Sequence, residues 1–395
     1  MRSSPVADEC GEAPRPSPPL AVSSCASRPA GPGTGLSAAG MEGEHLPAAA
    51  GAAYGSTTPA PPAHADPSAP GWRFWRRRRY VVAAMAFLGF FNVYALRVNL
   101  SVAIVAMTTA TTTTLGNGTT VQVPAEFDWD SQTQGLILSS FFYGYIVTQV
   151  PGGWLAARMG GSRVYGAGLA ATAVLTLLTP PIARAGTAWL IAVRIVEGLF
   201  EGVTYPCIHA VWARWAPPAE RSRLATIAFS GSYAGTVVSL PLSGVLAAHL
   251  GWPSIFYLFG VAALVWYAFW LYLVKENPED DPQISEEELH YIQSTLATVP
   301  VPKLTQQPWG KFLTSMPVWA IVAAHFSENW GFYTLLTQLP TFMKDVLHVE
   351  IEQSGFLSAL PYICMSVILQ AAGHLADWLR AGRMSTTAAS DFISE

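Results

Sequence analysis

The chain has 395 residues, of which 51% are hydrophobic and 12% are charged, and its mean hydropathy is +0.31. Soluble globular domains carry about 25% charged residues, so this composition excludes an ordinary soluble domain and indicates a helical membrane protein. The formal net charge of −4 is small and predicts no nucleic-acid partner. The spacing of Cys10, Cys25, Cys207 and Cys364 predicts neither a disulfide framework nor a metal site.

The first 70 residues are rich in proline, alanine, glycine and serine. They contain too few large apolar side chains to bury a core, so we predict a disordered cytoplasmic tail at 1–70. The first apolar segment begins near Tyr80, which is too late for a cleavable signal peptide.

Eight segments beyond the tail are long and apolar enough to cross a bilayer, which takes roughly 20 residues per helix. They are 80–107, 134–155, 164–183, 188–212, 223–248, 253–274, 316–339 and 354–376. The fold class is therefore predicted to be an all-α polytopic membrane protein. The predicted divisions are a six-helix bundle at 78–274, a cytoplasmic central loop at 275–315, the first two helices of a second bundle at 316–383, and a divergent polar tail at 384–395.

Basic residues are distributed unevenly between the links. Segment 73–79 and the links after the second, fourth, sixth and eighth spans carry arginine or lysine, whereas 108–133 carries none. The positive-inside rule then predicts that both termini are cytoplasmic. Asn117 begins an Asn-Gly-Thr glycosylation acceptor in 108–133, and it can be used only on the side opposite the cytosol.

An internal repeat relates 134–161 to 354–382 at an offset of 220 residues. Gly135 matches Gly355, and Gly153 matches Gly373 within a Gly-x-Leu-Ala sequence. A parallel repeat about six spans long is the plan of a transporter built from two six-helix halves.

The fourth span contains ionisable side chains in the stretch RIVEGLFEGVTYP. Arg194, Glu197, Glu201, Tyr205 and His209 follow each other at steps of three and four, so they share one helix face. Each charge at mid-bilayer costs about 2.5–3.5 kcal/mol, so this face must point into a bundle interior or a wet cavity. Two interpretations remain, an Arg–Glu network that locks helices together and a proton-binding site. The span carries two acids and only one base, which favours the proton-binding site.

Small residues and a proline shape the same helix. Gly198 and Gly202 form a small-xxx-small stripe that lets another helix approach closely. Pro206 lacks the N–H that would bond to Gly202, so we predict a bend there.

The first span holds a single buried cation, Arg97. No acid lies within helical reach of it, so its counter-ion comes from another helix or from a ligand. A guanidinium with five donors suits a carboxylate ligand, with Tyr94 and Asn99 beside it. The alternative is a pair with Glu197 or Glu201 across the bundle, and the two arrangements can alternate during transport.

Further polar residues lie in spans seven and two. His325, Glu328, Asn329 and Tyr333 share a side of span seven, and Tyr143 is a candidate cavity-lining residue of span two. They are weaker candidates, because residues with this spacing also pack structurally.

Long stretches of the chain resemble a known family. The segments YALRVNLSVAIV, FFYGYIVTQVPGGWLA, RIVEGLFEGVTYPCIHAVWARWAPPAERS and AHFSENWGFYTLLTQLPTFM are similar to the anion transporters of the major facilitator superfamily. The resemblance extends from about residue 78 to 383 and implies twelve helices, of which this chain contains about eight. It implies export of sialic acid or other acidic sugars from lysosomes with protons, with vesicular aspartate or glutamate or another anion as alternative substrates.

The resemblance also implies roles for individual residues. Arg97 would hold the substrate carboxylate, and the helix with Arg194, Glu197, Glu201 and His209 would couple transport to protons. The candidate substrate-binding residues are Arg97, Tyr94, Asn99, Tyr143, Tyr205, Asn329 and Tyr333, with His325 and Glu328 as secondary candidates. Protons are the only coupling ion expected, with no cofactor and no metal, and the partners are a small organic anion and the lipid bilayer.

The chain departs from the family in three respects. Glu328 stands where vesicular glutamate transporters have an arginine, which weakens the dicarboxylate alternative. The tail lacks an acidic dileucine signal, so a synaptic vesicle or the plasma membrane remain alternatives to the lysosomal membrane. The sequence ends in MSTTAASDFISE after the eighth span, so we expect a truncated form that does not transport alone. A membrane enzyme or receptor is disfavoured, because the sequence contains no nucleophile–base pattern.

The topology can be tested with introduced cysteines after the native cysteines are replaced by serine. A cysteine at Gly116 is expected to react with an impermeant thiol reagent from the side opposite the cytosol, and one at Lys303 only from the cytosolic side. Labelling of sealed vesicles of known orientation measures this, and the reverse pattern would invert the predicted topology.

Overall fold

The computed structural model describes residues 76–114, 120–297 and 309–381, with side chains for 76–110, 124–297 and 310–368. The predicted tail at 1–70, the glycosylation acceptor Asn117 and the polar tail at 384–395 lie outside the described residues. The division of the chain into domains stays a prediction.

Apart from α8 and α9, which lie in the predicted central loop, the described helices coincide with the predicted spans. They are α1 (Arg78–Thr108), α2 (Ser131–Met159), α3 (Gly161–Ala185), α4 (Thr187–Glu201), α5 (Thr204–Trp215), α6 (Arg221–Leu250), α7 (Pro253–Leu273), α8 (Glu286–Leu296), α9 (Trp309–Thr314), α10 (Met316–Asp345) and α11 (Ile351–Ala381). The predicted helical membrane fold is confirmed. Among the described residues α1, α3, α6, α7 and the 351–368 part of α11 are each long and apolar enough to cross a membrane. The remaining predicted spans are α2, α10 and the α4–α5 pair.

A short β-hairpin, which the sequence analysis did not predict, lies in the link after α1. Strand β1 (Thr111–Thr114) pairs antiparallel with β2 (Thr120–Val123), and Thr111 is opposite Val123. Threonine and valine are β-branched and favour extended backbone. The end of the bundle that carries this hairpin is called the hairpin side, and the end that carries α8 is called the α8 side.

The fourth predicted span is interrupted in its middle. Helix α4 ends at Glu201 and α5 begins at Thr204. Pro206 has no N–H to donate to the carbonyl of Gly202, so the helical ladder is broken at the predicted bend. The break places Glu201 at the end of a helix in the bundle interior, where it is fully buried.

Helices α2 and α4 approach each other closely through two glycines. A Cβ added at Gly198 would overlap the backbone carbonyl of Phe141, and one added at Gly144 would overlap the carbonyl of Ile195. The predicted close approach at Gly198 is therefore present, and α2 is the partner helix. Through this contact, the face of α2 that carries Phe141 and Tyr145 packs against the charged face of α4.

On the α8 side, two glutamates that are distant in sequence cap the N-termini of helices. Glu288 accepts the backbone N–H groups of Arg78 (2.8 Å) and Arg79 (3.2 Å), and Glu276 accepts those of Gly161 (2.9 Å) and the next residue (3.0 Å). The first N–H groups of a helix lack helical partners and favour a negative charge. The segment after α7 therefore anchors the starts of α1 and α3.

Side-chain ion pairs reinforce this anchor. Arg78 Nε donates to Asp281 at 2.6 Å, and Arg79 pairs with Glu220 at 2.9 Å and Glu288 at 3.1 Å. The part of the predicted central loop that contains Asp281 and Glu288 is thus packed against the start of α1.

On the hairpin side, one loop carboxylate joins the ends of α3 and α7. Glu126 accepts hydrogen bonds from Arg184 Nε and Trp252 Nε1, both at 2.7 Å. The bond from Arg184 holds the pKa of Glu126 below its ordinary value of 4.5. A lowered carboxylate pKa contributes stability above the ordinary pKa and loses it only as the pH falls through the lowered value. The contact therefore survives mildly acidic conditions.

The α2–α4 contact predicts the effect of a single methyl group. Gly198→Ala is expected to destabilise the protein by about 1–3 kcal/mol, because the methyl cannot be placed without separating two backbones. Thermal unfolding in detergent measures this. The matched control is Gly135→Ala on α2, since a Cβ there has no neighbour within 4 Å. Equal melting temperatures for the two variants would contradict the close packing.

Candidate functional site

Four ionisable side chains are buried in the interior of the bundle. Arg97 on α1 and Arg194, Glu197 and Glu201 on α4 are each at most 4% exposed. The cluster contains two bases and two acids, so its formal charge is zero. Charges this deeply buried persist only when they are paired and hydrogen-bonded.

Arg97 forms the pair that crosses the bundle. Its Nε donates to Glu201 Oε1 at 2.7 Å, and its Nη2 donates to the same oxygen. Its Nη1 donates to the hydroxyl of Tyr333 on α10 at 3.0 Å. The structure therefore contains the predicted alternative in which Arg97 pairs with an acid of the fourth span. One side chain joins α1, α4 and α10.

Aromatic rings enclose the Arg97 guanidinium. The ring centroids of Tyr94 and Tyr145 lie 4.8 Å from its central carbon, that of Phe141 lies at 5.3 Å and that of Tyr333 at 5.7 Å. Ring faces attract a desolvated cation by about 0.5–2 kcal/mol each. This cage favours the charged guanidinium and orients its fork towards Glu201.

The second pair lies within α4. Arg194 Nη1 donates to Glu197 Oε2 at 2.6 Å, and Thr176 of α3 donates to Glu197 Oε1 at 3.2 Å. The Arg194 guanidinium also lies 5.0 Å from the ring of Phe141. Phe141 thus contacts both buried guanidinium groups, and its ring connects the two ion pairs.

The structure corrects one step of the sequence argument. The fourth span has two acids and one base, which suggested that one carboxylate has no basic partner. In the structure Arg97 of α1 is that partner. The count failed because it considered one helix, and the partner lies 104 residues earlier in the chain. An unpartnered atom nevertheless remains, because Glu201 Oε2 is buried with no hydrogen-bond partner among the described residues.

Three predicted tyrosines reach this site or adjoin it. The hydroxyls of Tyr94 and Tyr205 lie 3.1 Å apart, and Tyr333 bonds to Arg97. Asn99 is not brought to the site. It follows Arg97 by two residues, which turns it about 200° around the helix. Its side-chain amide is buried without a hydrogen-bond partner among the described residues.

On α2 the structure places different residues at the site from those predicted. Tyr143 is 56% exposed on the outer face and does not contact Arg97 in the described structure. Phe141 and Tyr145, which are not among the candidate substrate-binding residues, lie against the guanidinium instead. Their spacing of four residues around Gly144 is the sequence signal that places them on the α4-facing side.

The remaining predicted residues lie away from the charge cluster. His209 is exposed on α5, beyond the break, with its ring 5.6 Å from that of Phe229. Asn329 donates to the carbonyl of His325 at 2.8 Å, and His325 Nδ1 lies 3.5 Å from the carboxylate of Glu328. No group of three or more metal-ligating side chains that could hold a metal is present in the described part of the chain.

A bundle of membrane-length helices with paired charges at its centre is typical of membrane transporters, because intramembrane charges mark substrate and ion pathways. The sequence model of the Major Facilitator Superfamily matches residues 99–390. The chain therefore belongs to the Major Facilitator Superfamily, and it is a multi-pass membrane protein of the transporter class rather than an enzyme.

Two solved structures share this fold. A D-xylose–proton symporter matches with a TM-score of 0.54 at 16% identity, covering 75% of this chain and 69% of its own. A bacterial homologue of the human lysosomal transporter Spinster, inward-facing and unoccupied, matches with a TM-score of 0.56 at 14% identity, covering 77% and 63%. At these identities the likeness concerns the fold alone.

Two curated relatives are much more similar in sequence. Human sialin is 48% identical over 77% of this chain and 64% of its own length. Vesicular glutamate transporter 1 of Xenopus tropicalis is 48% identical over 78% of this chain and 54% of its own. The chain thus spans somewhat less than two thirds of the one relative and about half of the other.

Proposed function

We propose that this protein is a proton-coupled organic-anion transporter whose substrate is an acidic sugar such as sialic acid. The observation that supports this most directly is the pairing of Arg97 with Glu201 while one Glu201 oxygen, Oε2, has no hydrogen-bond partner within the described part of the chain. A buried guanidinium fork is the natural receptor for a substrate carboxylate. In the described state that fork is occupied by a carboxylate of the protein itself.

Competition for Arg97 couples the proton to the anion. Protonation of Glu201 removes its negative charge and leaves Arg97 buried without a counter-ion, which is strongly unfavourable. A substrate carboxylate then replaces Glu201 at the fork. Release of the proton restores the original pair and displaces the substrate. Proton and anion therefore bind together and leave together.

The two glutamates take different parts in this scheme. Glu197 is held by both Arg194 and Thr176, so it stays the ionised partner of Arg194. Glu201 offers Oε2 to a proton without first losing a hydrogen bond. Glu201 is therefore the proposed proton carrier, and the Arg194–Glu197 pair keeps α4 in place.

The relatives support the proposed substrate and compartment. Similarity to sialin supports an acidic sugar exported across the lysosomal membrane. The uneven distribution of basic residues between the links supports cytosolic termini. Equal identity to a vesicular glutamate transporter supports glutamate or aspartate as the second candidate substrate, with a synaptic vesicle as its compartment.

The binding role of Arg97 can be separated from a structural role. Arg97→Lys keeps the charge but cannot make two bonds to Glu201 and one to Tyr333 at once. We expect at least a roughly tenfold loss of sialic-acid affinity, since one lost charge-assisted hydrogen bond is worth about 1.5–3 kcal/mol. Equilibrium binding to purified protein measures the affinity, and thermal unfolding checks the fold. If most of the Arg97→Lys protein fails to fold but the folded fraction binds sialic acid normally, the Arg97–Glu201 pair has a structural role rather than a binding role.

Proton coupling is tested at Glu201. Glu201→Gln is neutral at every pH, so we expect loss of pH-driven net flux in reconstituted vesicles while substrate exchange or binding is retained. Glu197→Gln serves as the comparison, because stranding Arg194 should reduce folding yield as well. Wild-type pH dependence of flux in Glu201→Gln would contradict the assignment. Because this chain is expected not to transport alone, flux is measured in a form that carries all twelve helices of the family, and absence of anion flux in that form would contradict the function.

A further inference from the structure

A cavity on the α8 side lies between the start of α3 and the end of α7, away from the buried charge cluster. Its volume is about 310 Å³, at the lower end of the roughly 300–1,000 Å³ that ligand pockets occupy. Charged and apolar side chains share the lining, which includes Arg163, Lys275, Glu276, Asp280, Trp270 and Leu271. A ligand with a charged group next to a hydrocarbon chain suits both kinds of surface.

The two cations of the cavity have no carboxylate partner in the described part of the chain. The ammonium of Lys275 makes one long hydrogen bond, to the carbonyl of Leu271 at 3.4 Å. Arg163 donates its backbone N–H to Glu276 at 3.4 Å, but its guanidinium makes no hydrogen bond or ion pair to a described residue. The unused N–H donors of a guanidinium and an ammonium therefore line the same space.

The two carboxylates of the cavity, in contrast, already have partners. Glu276 caps the N-terminus of α3 and also pairs with Arg214 at 2.8 Å. Asp280 accepts a hydrogen bond from the side-chain amide of Asn277 at 2.9 Å. Because Arg214 balances Glu276, two cations face a single uncompensated carboxylate, that of Asp280. The cavity therefore has an excess of positive charge and favours an anion.

An exposed apolar stripe leads along α7 to the cavity. Val265, Phe269 and Tyr272 follow each other at steps of four and three, and each is more than half exposed. Leu271, which is part of the cavity lining, is 53% exposed on the same helix. In a bundle that crosses a bilayer, such a stripe faces the acyl chains, and a tyrosine near the end of the helix marks the headgroup level. The cavity thus lies where a lipid headgroup begins.

The charge of the cavity also matches one leaflet of the membrane. The α8 side is the predicted cytosolic side, and the cytosolic leaflet of a cell membrane carries anionic lipids. Basic pockets between membrane-spanning helices on this side suit the headgroups of such lipids. A lipid fits the surface better than a soluble phosphate compound, because only a lipid also covers the apolar stripe.

We propose that this cavity is a binding site for the phosphate of an anionic phospholipid, with Arg163 and Lys275 as the residues that hold it. Two parallel N–H groups of the guanidinium donate to two phosphate oxygens, and the ammonium adds a point charge. One acyl chain lies on the exposed stripe of α7. The bound lipid joins α3 to α7 and is separate from the proposed substrate site, so the inference does not depend on the proposed function.

Native mass spectrometry of the purified chain, titrated with lipids in detergent, measures the binding. The probes are phosphatidylglycerol, phosphatidylcholine, and glycerol 3-phosphate, which has the phosphate but no acyl chain. We expect one phosphatidylglycerol per chain to bind at least tenfold more tightly than phosphatidylcholine, because choline brings a further cation to Arg163 and Lys275. Glycerol 3-phosphate is expected not to displace the lipid at equal concentration, because it leaves the apolar stripe uncovered.

A double substitution tests the two cations. Arg163→Gln together with Lys275→Gln removes both, and we expect the affinity for phosphatidylglycerol to fall at least tenfold, to that for phosphatidylcholine. The matched control is Arg76→Gln together with Arg223→Gln, which removes two charges from exposed residues on the α8 side that do not line the cavity. This control should keep the affinity of the unmodified chain. Arg163 is exposed as well, and thermal unfolding of each variant verifies the fold.

The other outcomes overturn the site. Equal affinity for the two lipids would show that the cavity does not select an anionic headgroup. An equal loss in the two double variants would reduce the binding to general attraction between basic side chains and anionic lipids. Displacement by glycerol 3-phosphate at equal concentration would assign the cavity to a soluble phosphate compound instead. If the Arg163 and Lys275 variant does not fold, the comparison of the three probes on the unmodified chain still decides the proposal.

Discussion

The buried ion pair between Arg97 and Glu201 is the interaction on which the arrangement of the helices depends. Neither charge is reached by solvent, and stranding either one costs about 3–5 kcal/mol. Helices α1, α4 and α10 therefore stay together as long as Arg97 has only protein partners. The pair is released without that penalty only when another anion takes the fork and Glu201 becomes neutral. In the proposed function, the ion pair that stabilises the bundle is thus also the one that the substrate would replace.

The close approach of α2 and α4 determines what surrounds the pair. Gly144 and Gly198 allow backbone contact, and Phe141 is thereby held 5.3 Å from the guanidinium of Arg97 and 5.0 Å from that of Arg194. An aromatic ring between two cations attracts both with its faces and excludes water from the space between them. Side chains larger than hydrogen at these two glycines would remove this geometry without touching any charged group.

The sequence predicted the spans, the α4–α5 bend and the glycine contact, because each depends on neighbours within one or two helical turns. The same holds for Arg194 and Glu197, which form an ion pair three residues apart on the helix face that the spacing predicted. The sequence left open the partner of Arg97, since pairing across 104 residues depends on helix packing. It also did not show that Tyr145 faces the guanidinium, because polarity alone does not say which side of α2 faces α4. The hairpin was missed because hydropathy does not distinguish structure within a polar link.

Charge balance connects the cluster to the kind of substrate it accommodates. Two arginines and two glutamates leave the buried cluster neutral, and one proton together with one monovalent anion leaves it neutral again. A dianion would bring a further negative charge into a low-dielectric interior, where the other cation, Arg194, is committed to Glu197. In the proposed mechanism, this distribution of charge is balanced when one proton moves with one monocarboxylate.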